Sequence, residues 1–422
     1  MRGEVGGRGQ LGRGGMQLDV EEVQIPYHFR CPISLELMRD PVTVSTGQTY
    51  DRGSIEAWAA MGNTTCPVTR ALLADFTLIP NHTLRRLIQD WCVAHRAHGV
   101  ERIPTPKQPA DPVVVRFLVA QAAAADSEPS ARISALRRLR NLARESEMNR
   151  AVVSTRETRQ VVVEIAFEEG GANSDVAAEA MEVLAVMPMT EGESEAVAAR
   201  RDRVAKLAAV LRGHRSTEAR IGAAVMVETV RSAVAREAVG GEPGLMEGLV
   251  SLVEEKGNSR AVRVGVRGLF SLCLAKENRG RAVAAGAAEA VLRRMREMCF
   301  GERGDLERAL ATVELLCRGE GGREAVVRVE GAVKTMVRAM AGKATERAAE
   351  HAAGALVVVV GGSEALQQEA VASGVVTQLL LMVQSGCSER ARRKAQTLLK
   401  VLQPAWALQD SLANSDDFLQ PF

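Results

Sequence analysis

Residues 31–44, Cys31-Pro-Ile-Ser-Leu-Glu-Leu-Met-Arg-Asp-Pro-Val-Thr-Val44, are the densest part of a stretch that runs from Pro26 to Trp91. Two Cys-Pro steps, Cys31-Pro32-Ile33 and Cys66-Pro67-Val68, open two loops on either side of one short helix. That helix is legible from its ends. Asp51 stands where an N-cap acceptor belongs, Ile55 and Ala59 lie one turn apart on a buried stripe, and Gly62 supplies a left-handed stop. A second helix follows Pro80, with Asn81 as its cap and Leu84, Leu87, Ile88 and Trp91 at helical spacing. The stretch therefore folds as a small α+β platform of two loops, one helix and a closing helix.

A zinc-stapled RING has this layout too, so the ligands decide. Structural zinc takes four Cys or His, commonly in pairs such as Cys-x2-Cys. Three residues after Cys31 comes Ser34, and three after Cys66 comes Thr69, so the loop pairs are missing. His28-x2-Cys31 and Cys92-x2-His95 leave one four-ligand site open on paper, but the second pair falls on the flank of the closing helix, where Cys is commonly a small apolar filler. No metal is expected. Hydrogen bonds, ion pairs and a small core are left to hold the loops.

Pro26-x-x-Phe29-x-Cys31-Pro32-Ile33, Asp40-Pro41-Val42, Gly47-x-x-Tyr50-Asp51-Arg52, Ile55-x-x-Trp58, Thr65-Cys66-Pro67-Val68-Thr69-Arg70 and Leu78-x-Pro80-Asn81 follow one another in order. Together they resemble a U-box, the metal-free relative of the RING, and the chain as a whole is similar to plant U-box ubiquitin ligases with armadillo repeats. The resemblance implies an E3 that forms no covalent intermediate. Its partners would be a ubiquitin-conjugating enzyme carrying ubiquitin as a thioester, ubiquitin itself and a protein substrate, with no cofactor.

By the same resemblance Ile33, Leu35, Trp58 and Pro67 form the groove for the conjugating enzyme. Arg70 is the cation that bridges conjugating enzyme and ubiquitin; its fork of permanently charged donors suits two backbone carbonyls at once. Asp40, Asp51 and Arg52 belong to the polar network that holds the loops. Cys31 and Cys66 are tempting nucleophiles, but a Cys before Pro in a packed loop reads as structural. The competing reading is a non-catalytic armadillo adaptor with a degenerate U-box, against which Ile33, Trp58, Pro67 and Arg70 all stand intact.

With 422 residues the chain is long enough for a small domain and a large one. Lys plus Arg number 54 against 52 for Asp plus Glu, a net charge of +2, which excludes a broad nucleic-acid footprint. Seven scattered cysteines favour a reducing compartment, hence the cytoplasm with the nucleus also open. No apolar run approaches the ~18–20 residues that span a bilayer. Residues 1–23 read as a disordered Gly-rich leader, 24–100 as the U-box, and 101–112, with four prolines, as a stiff linker.

Beyond the linker the composition turns to Ala, Val, Leu, Arg and Glu, and segments led by Gly244, Gly286, Gly331 and Gly374 repeat one apolar pattern. Stepping back twice by the same period, in the low forties typical of such repeats, finds Asp202 and Gln160 leading related runs, and Pro112 opens a similar one, seven in all. An all-helical period of that length, with Gly before the last helix of a unit, resembles armadillo repeats; residues 113–403 are expected to stack into an α-solenoid. Its long face is a protein-binding surface by default, and Glu247, Arg293, Arg294, Lys334, Arg338 and Gln378 are expected on the solvent side of the Gly-led helices. Residues 404–422 read as a tail with at most a short helix. Plant relatives of this layout often act in defence and stress signalling. On the substrate-holding role of the repeats, removing everything after Pro112 should abolish substrate modification and leave self-ubiquitination.

Overall fold

The computed structural model describes residues 25–73, 75–95, 109–168, 174–187, 189–297, 303–341 and 345–416. The chain divides into two compact units between Gln108 and Pro109, within the proline-rich stretch. The expected leader and residues 101–108 of the expected linker lie outside the described residues.

In the first unit β1 (Pro41–Thr43), β2 (Thr49–Asp51) and β3 (Ile79–Pro80) form an antiparallel sheet of order β2-β1-β3. Val42 stands opposite Tyr50 on one side and Pro80 on the other. Pro80 is tolerated because β3 is an edge strand. α1 (Arg52–Ala60) leaves β2 without a loop, and Gly62, at φ +85°, stops it as expected. α2 (His82–Ala94) starts from Asn81, whose Oδ1 accepts the Leu84 N–H at 3.0 Å. The core gathers Phe29, Met38, Val42, Tyr50, Ile55 and Ile88 with the thiols of Cys31, Cys66 and Cys92. Leu87 departs from expectation at 52% exposed. The buried stripe runs through Leu84, Ile88 and Cys92, and Leu87 falls off its edge.

Among the described residues the second unit has seven helices on the repeating register: Pro112–Ala123, Arg156–Phe167, Arg201–Gly213, Leu245–Val253, Ala287–Arg296, Ala332–Met340 and Val375–Gln384. Gly244, Gly286, Gly331 and Gly374 cap the last four with φ of 81°, 86°, 69° and 84°. This left-handed step lets the chain turn sharply out of the preceding short helix, and it strongly favours glycine. The first two use side-chain caps instead, Asp111 and Thr155.

Each register helix is followed by another that packs on its counterpart in the next repeat: Pro129–Glu145, Asp175–Leu184, Thr217–Glu228, Ser259–Cys273, Arg303–Cys317, Glu346–Val360 and Glu389–Asp416. The continuous ladder is thus built by these helices, and a unit ends on them rather than on the glycine-led ones. One apolar core runs from Val115 to Ala405.

Two expectations change here. Arg294 is not on the solvent side. It is 8% exposed and its guanidinium donates to the carbonyls of Val253, at 2.8 Å, Glu254 and Glu255, closing the C-terminal end of the Leu245–Val253 helix in the preceding repeat. A long apolar stem makes this possible. The second change is at the C-terminus, where the helix from Glu389 continues through Pro404 to Asp416 with Ala405 buried. The expected boundary at Gln403 therefore falls inside a helix.

No single described helix is long and apolar enough to cross a membrane. Glu364–Ala372 and Val375–Gln384 qualify only as a pair bent by 73°, and Ala370, Val371, Val375 and Leu379 of that pair lie in the core.

Candidate functional site

The two Cys-Pro loops are two copies of one turn. Cys31 N–H donates to the Glu36 carbonyl and Leu35 N–H to the Cys31 carbonyl, both at 2.8 Å; Cys66 with Ala71 and Arg70 with Cys66 repeat this at the same distances. Glu36 N–H reaches Ser34 Oγ and Ala71 N–H reaches Thr69 Oγ1, each at 3.4 Å. Backbone bridges Arg30 to Leu37 and Thr65 to Leu72 flank the turns. Ser34 and Thr69, which stand where second metal ligands would be, thus help close the turns.

The thiols act as acceptors at the centre of each turn. Cys31 Sγ takes the Asp51 N–H at 3.3 Å; Cys66 Sγ meets Tyr50 OH at 2.9 Å and Thr46 Oγ1 at 3.3 Å. Burial pushes the Cys66 thiol up, but hydrogen bonds from Thr46, Thr69 and Tyr50 outweigh it and hold it at about 6. Burial likewise raises Cys31, and donors from Ser34, Asp51 and Ile33 bring it below its ordinary value. Burial and the neighbouring Cys66 keep the Tyr50 phenol protonated, its pKa well above the usual range. Both sulfurs are buried. They are used to shape the loops.

Among the described residues no three His, Cys, Asp or Glu gather as a metal would require. His95 stacks on Trp91 with its Nδ1 at 2.9 Å from the Trp91 carbonyl, and Cys92 is buried in the core.

Asp51 occupies the N-cap of α1, but its carboxylate does not cap. Oδ1 accepts the N–H groups of Arg39 and Asp40, at 2.7 and 2.8 Å, and so braces the strand leading from the first loop. Asp40 in turn pairs with Arg52 Nε at 2.8 Å and with Arg85 on α2. Burial lowers the Arg85 pKa. The structure therefore brings Asp40, Asp51 and Arg52 into one network and adds Arg85.

α1 is tied to both loops. Its leading residue Asp51 holds Cys31, and near its end Trp58 Nε1 donates to the Thr65 carbonyl at 2.9 Å beside the second loop. Asn63 fixes the Trp58 carbonyl at 3.0 Å. On this frame Ile33, Trp58 and Pro67 are half-buried, while Leu35 is 70% exposed and Arg70 is exposed. Val68, 49% exposed, follows Cys-Pro in the second turn as Ile33 does in the first. Its place could have been found from that spacing. The result is a partly apolar surface with a guanidinium beside it, suited to holding another protein.

The second unit presents charge that is largely paired within itself. Arg140 pairs with Glu179 and Glu182, Arg260 with Glu218, and Arg263 and Arg267 with the buried Asp305. Glu314 receives His351 and Lys394 from the next two repeats.

Comparison with known proteins follows this division. Residues 25–97 match the family described as U-box domain, and residues 114–420 match the Plant U-box protein ARM repeat region. U-box domain-containing protein 26 of Arabidopsis thaliana is 49% identical over 411 residues, covering 94% of this chain and 96% of that protein. U-box domain-containing protein 25 is 48% identical, with coverages of 94% and 95%. The E3 ubiquitin-protein ligase PUB23 of the same plant is 30% identical, covering 92% of this chain and 94% of its own. Among solved structures, a chain from a study of a phosphorylation switch between cadherin and beta-catenin superposes with a TM-score of 0.57 at 14% identity. It covers 82% of this chain and 62% of its own length, a likeness of fold alone. With both of its units matched in order, the chain belongs to the plant U-box proteins with an armadillo-repeat region.

Proposed function

We propose that this protein is an E3 ubiquitin ligase whose U-box recruits a ubiquitin-charged conjugating enzyme and whose armadillo repeats hold the protein to be modified. The observation that carries the reading is the pair of matched turns, which present Leu35 and Arg70 outward from a braced frame. Relatives named as E3 ubiquitin-protein ligases, covered over most of their length, support it.

Ile33, Leu35, Trp58 and Pro67 form the groove for the conjugating enzyme, and Val68 widens it. Arg70 donates hydrogen bonds to conjugating enzyme and ubiquitin together, restricting the thioester to geometries that a lysine can attack. This is preorganisation, worth rate without any bond to the ligase. Ubiquitin passes directly from one carrier to the acceptor, since Cys31 and Cys66 are buried acceptors and Cys92 is buried in the core. The armadillo surface raises the local concentration of the substrate lysine. The protein acts in a reducing compartment, the cytoplasm or nucleus, in defence or stress signalling.

The test is discharge of ubiquitin from a loaded conjugating enzyme to free lysine. Wild type should accelerate it, Ile33→Ala should lose binding of the conjugating enzyme, and Arg70→Ala should lose rate with binding retained. Background rates for all three would establish the adaptor reading. A ubiquitin adduct on the ligase that is released by reductant would refute direct transfer.

A further inference from the structure

Of the 54 basic residues only eight are lysine, and none lies among residues 1–106. Every basic position of the U-box other than histidine is arginine, Arg39, Arg70 and Arg86 among them. The preference holds where stability does not ask for it. Arg215 with Asp175 and Arg200 with Asp202 are surface pairs with more than half of each side chain exposed. Such pairs contribute at most about 1 kcal/mol with either cation. What distinguishes the two is that an amine can lose its proton and attack a carbonyl, whereas a guanidinium stays protonated.

Resting on the ligase reading above, we infer that residues 1–106 are a lysine-free zone that keeps the U-box from accepting the ubiquitin it helps transfer, and that self-modification falls on Lys256, Lys276, Lys334 and Lys400 of the armadillo unit. A lysine fixed beside the bound thioester would see it at an effective concentration near millimolar, ahead of any substrate in dilute solution. In each transfer the neutral Nζ attacks the carbonyl carbon of the ubiquitin C-terminus, a C–N isopeptide bond forms and the C–S bond of the thioester breaks. The amine proton ends on the departing thiol of the conjugating enzyme.

The remaining described lysines are engaged. Lys206 donates to the Glu168 carbonyl at 2.7 Å, and Lys394 lies between Glu314 and Glu350 at 2.9 and 3.1 Å. Lys256, Lys276, Lys334 and Lys400 are exposed, and the contact of Lys276 with Glu277 is a loose 3.8 Å. Lys107 and Lys343 lie outside the described residues. A fragment ending at Pro112 keeps one lysine, Lys107, which narrows the expectation that such a fragment modifies itself freely.

The experiment uses the full chain with Lys107→Arg and Lys343→Arg as background, a conjugating enzyme loaded with ubiquitin, and mass-spectrometric mapping of modified residues. Changing Lys256, Lys276, Lys334 and Lys400 together to Arg should lower self-modification at least fivefold with discharge to free lysine within twofold. Separately, Arg39→Lys and Arg86→Lys, both at exposed positions, should raise self-modification at least threefold and themselves be modified. Self-modification unchanged in the quadruple variant, or new U-box lysines left unmodified, overturns the inference while free-lysine discharge persists. Absence of that discharge in the background protein instead overturns the ligase reading on which it rests.

Discussion

Leu35 and Arg70 hold the same place in two copies of one turn: both have left-handed backbone, φ 60° and 58°, and each donates its N–H to the carbonyl of the cysteine that opens its turn. A left-handed conformation costs a non-glycine residue about 1–2 kcal/mol, and these are the only non-glycine residues in it among those described. Strain kept at two exposed side chains points to use of those side chains. Leu35→Gly and Arg70→Gly should each leave stability unchanged or raise it by up to about 1 kcal/mol, since relief of strain offsets the greater freedom of unfolded glycine. Both should lower lysine discharge, Arg70→Gly by about tenfold or more, the scale for losing a transition-state donor. Urea unfolding and single-turnover discharge measured together decide this; a loss of stability equal to the loss of activity would make the turns merely structural.

Much of this unit was legible because it obeys local rules. The Cys-Pro steps, the Gly62 stop and the Asn81 cap each follow from residues within a few positions. Asp51 misled because a distant need overrode a local one: the unpaired N–H groups of Arg39 and Asp40 took the carboxylate that α1 would have used. Arg85 was invisible, since its partner Asp40 lies across the fold and nothing near it in sequence marks the pair. The left-handed backbone of Leu35 and Arg70 runs against the preference of both residue types, so no propensity could reveal it. In the solenoid the glycines announced four helices, whereas Arg294 looked solvent-facing because periodicity places a Cβ and says nothing of where a long side chain ends.

Removing Asp40 should unfold the U-box before the solenoid. Its carboxylate is shared by Arg52 and Arg85, whose side chains are 31% and 12% exposed, so Asp40→Ala leaves two guanidiniums without it. A fully buried pair broken this way loses about 3–5 kcal/mol; with the carboxylate about a quarter exposed, roughly 2 kcal/mol is expected. The fluorescence of Trp58 and Trp91 should report a U-box midpoint shifted down, with the helical signal of the repeats little changed. An unshifted midpoint would remove Asp40 from the network that holds the loops.

Cys66 gives the U-box a pH dependence of defined sign. Its thiol is held at about 6 in the fold, against an ordinary value of 9.0. The folded state thus binds fewer protons between these values than the unfolded chain does. A group with a depressed folded pKa adds stability that is complete above its unfolded pKa and is lost as pH falls through the folded one. The U-box Tm should therefore rise between pH 6 and 9 in wild type. Cys66→Ser, which keeps a small acceptor but does not titrate there, should flatten that rise, and Tyr50→Phe should shrink it. A wild-type profile that is flat or falling over this window would contradict the charged thiol.

Glycine inside a helix normally costs stability, so the sign of a Gly→Ala change reveals whether the missing side chain matters. Gly354 lies where the helices Arg303–Cys317, Glu346–Val360 and Glu389–Asp416 meet, and a Cβ there would press on Glu314 Oε1 and stand 3.0 Å from Lys394 Nζ. Burial alone would raise the Glu314 carboxyl, but hydrogen bonds from His351 and Lys394, with Arg318 alongside, hold it at about 2. An ionised Glu314 has no proton to give, so His351 carries its proton on Nδ1, 2.7 Å away. Gly222 is more constrained, since a Cβ there would strike the backbone carbonyl of Met181 in the neighbouring helix Asp175–Leu184, which no rotamer change can move aside. Helix propensity predicts that alanine at either position stabilises by about 1 kcal/mol. Packing predicts the reverse, a loss of about 2–3 kcal/mol for Gly354→Ala from crowding and a disturbed charged cluster, and at least as much for Gly222→Ala. Thermal unfolding followed by helical circular dichroism decides between them. A rise in midpoint at both positions would mean that the ladder helices do not pack at the close approach on which the stack rests.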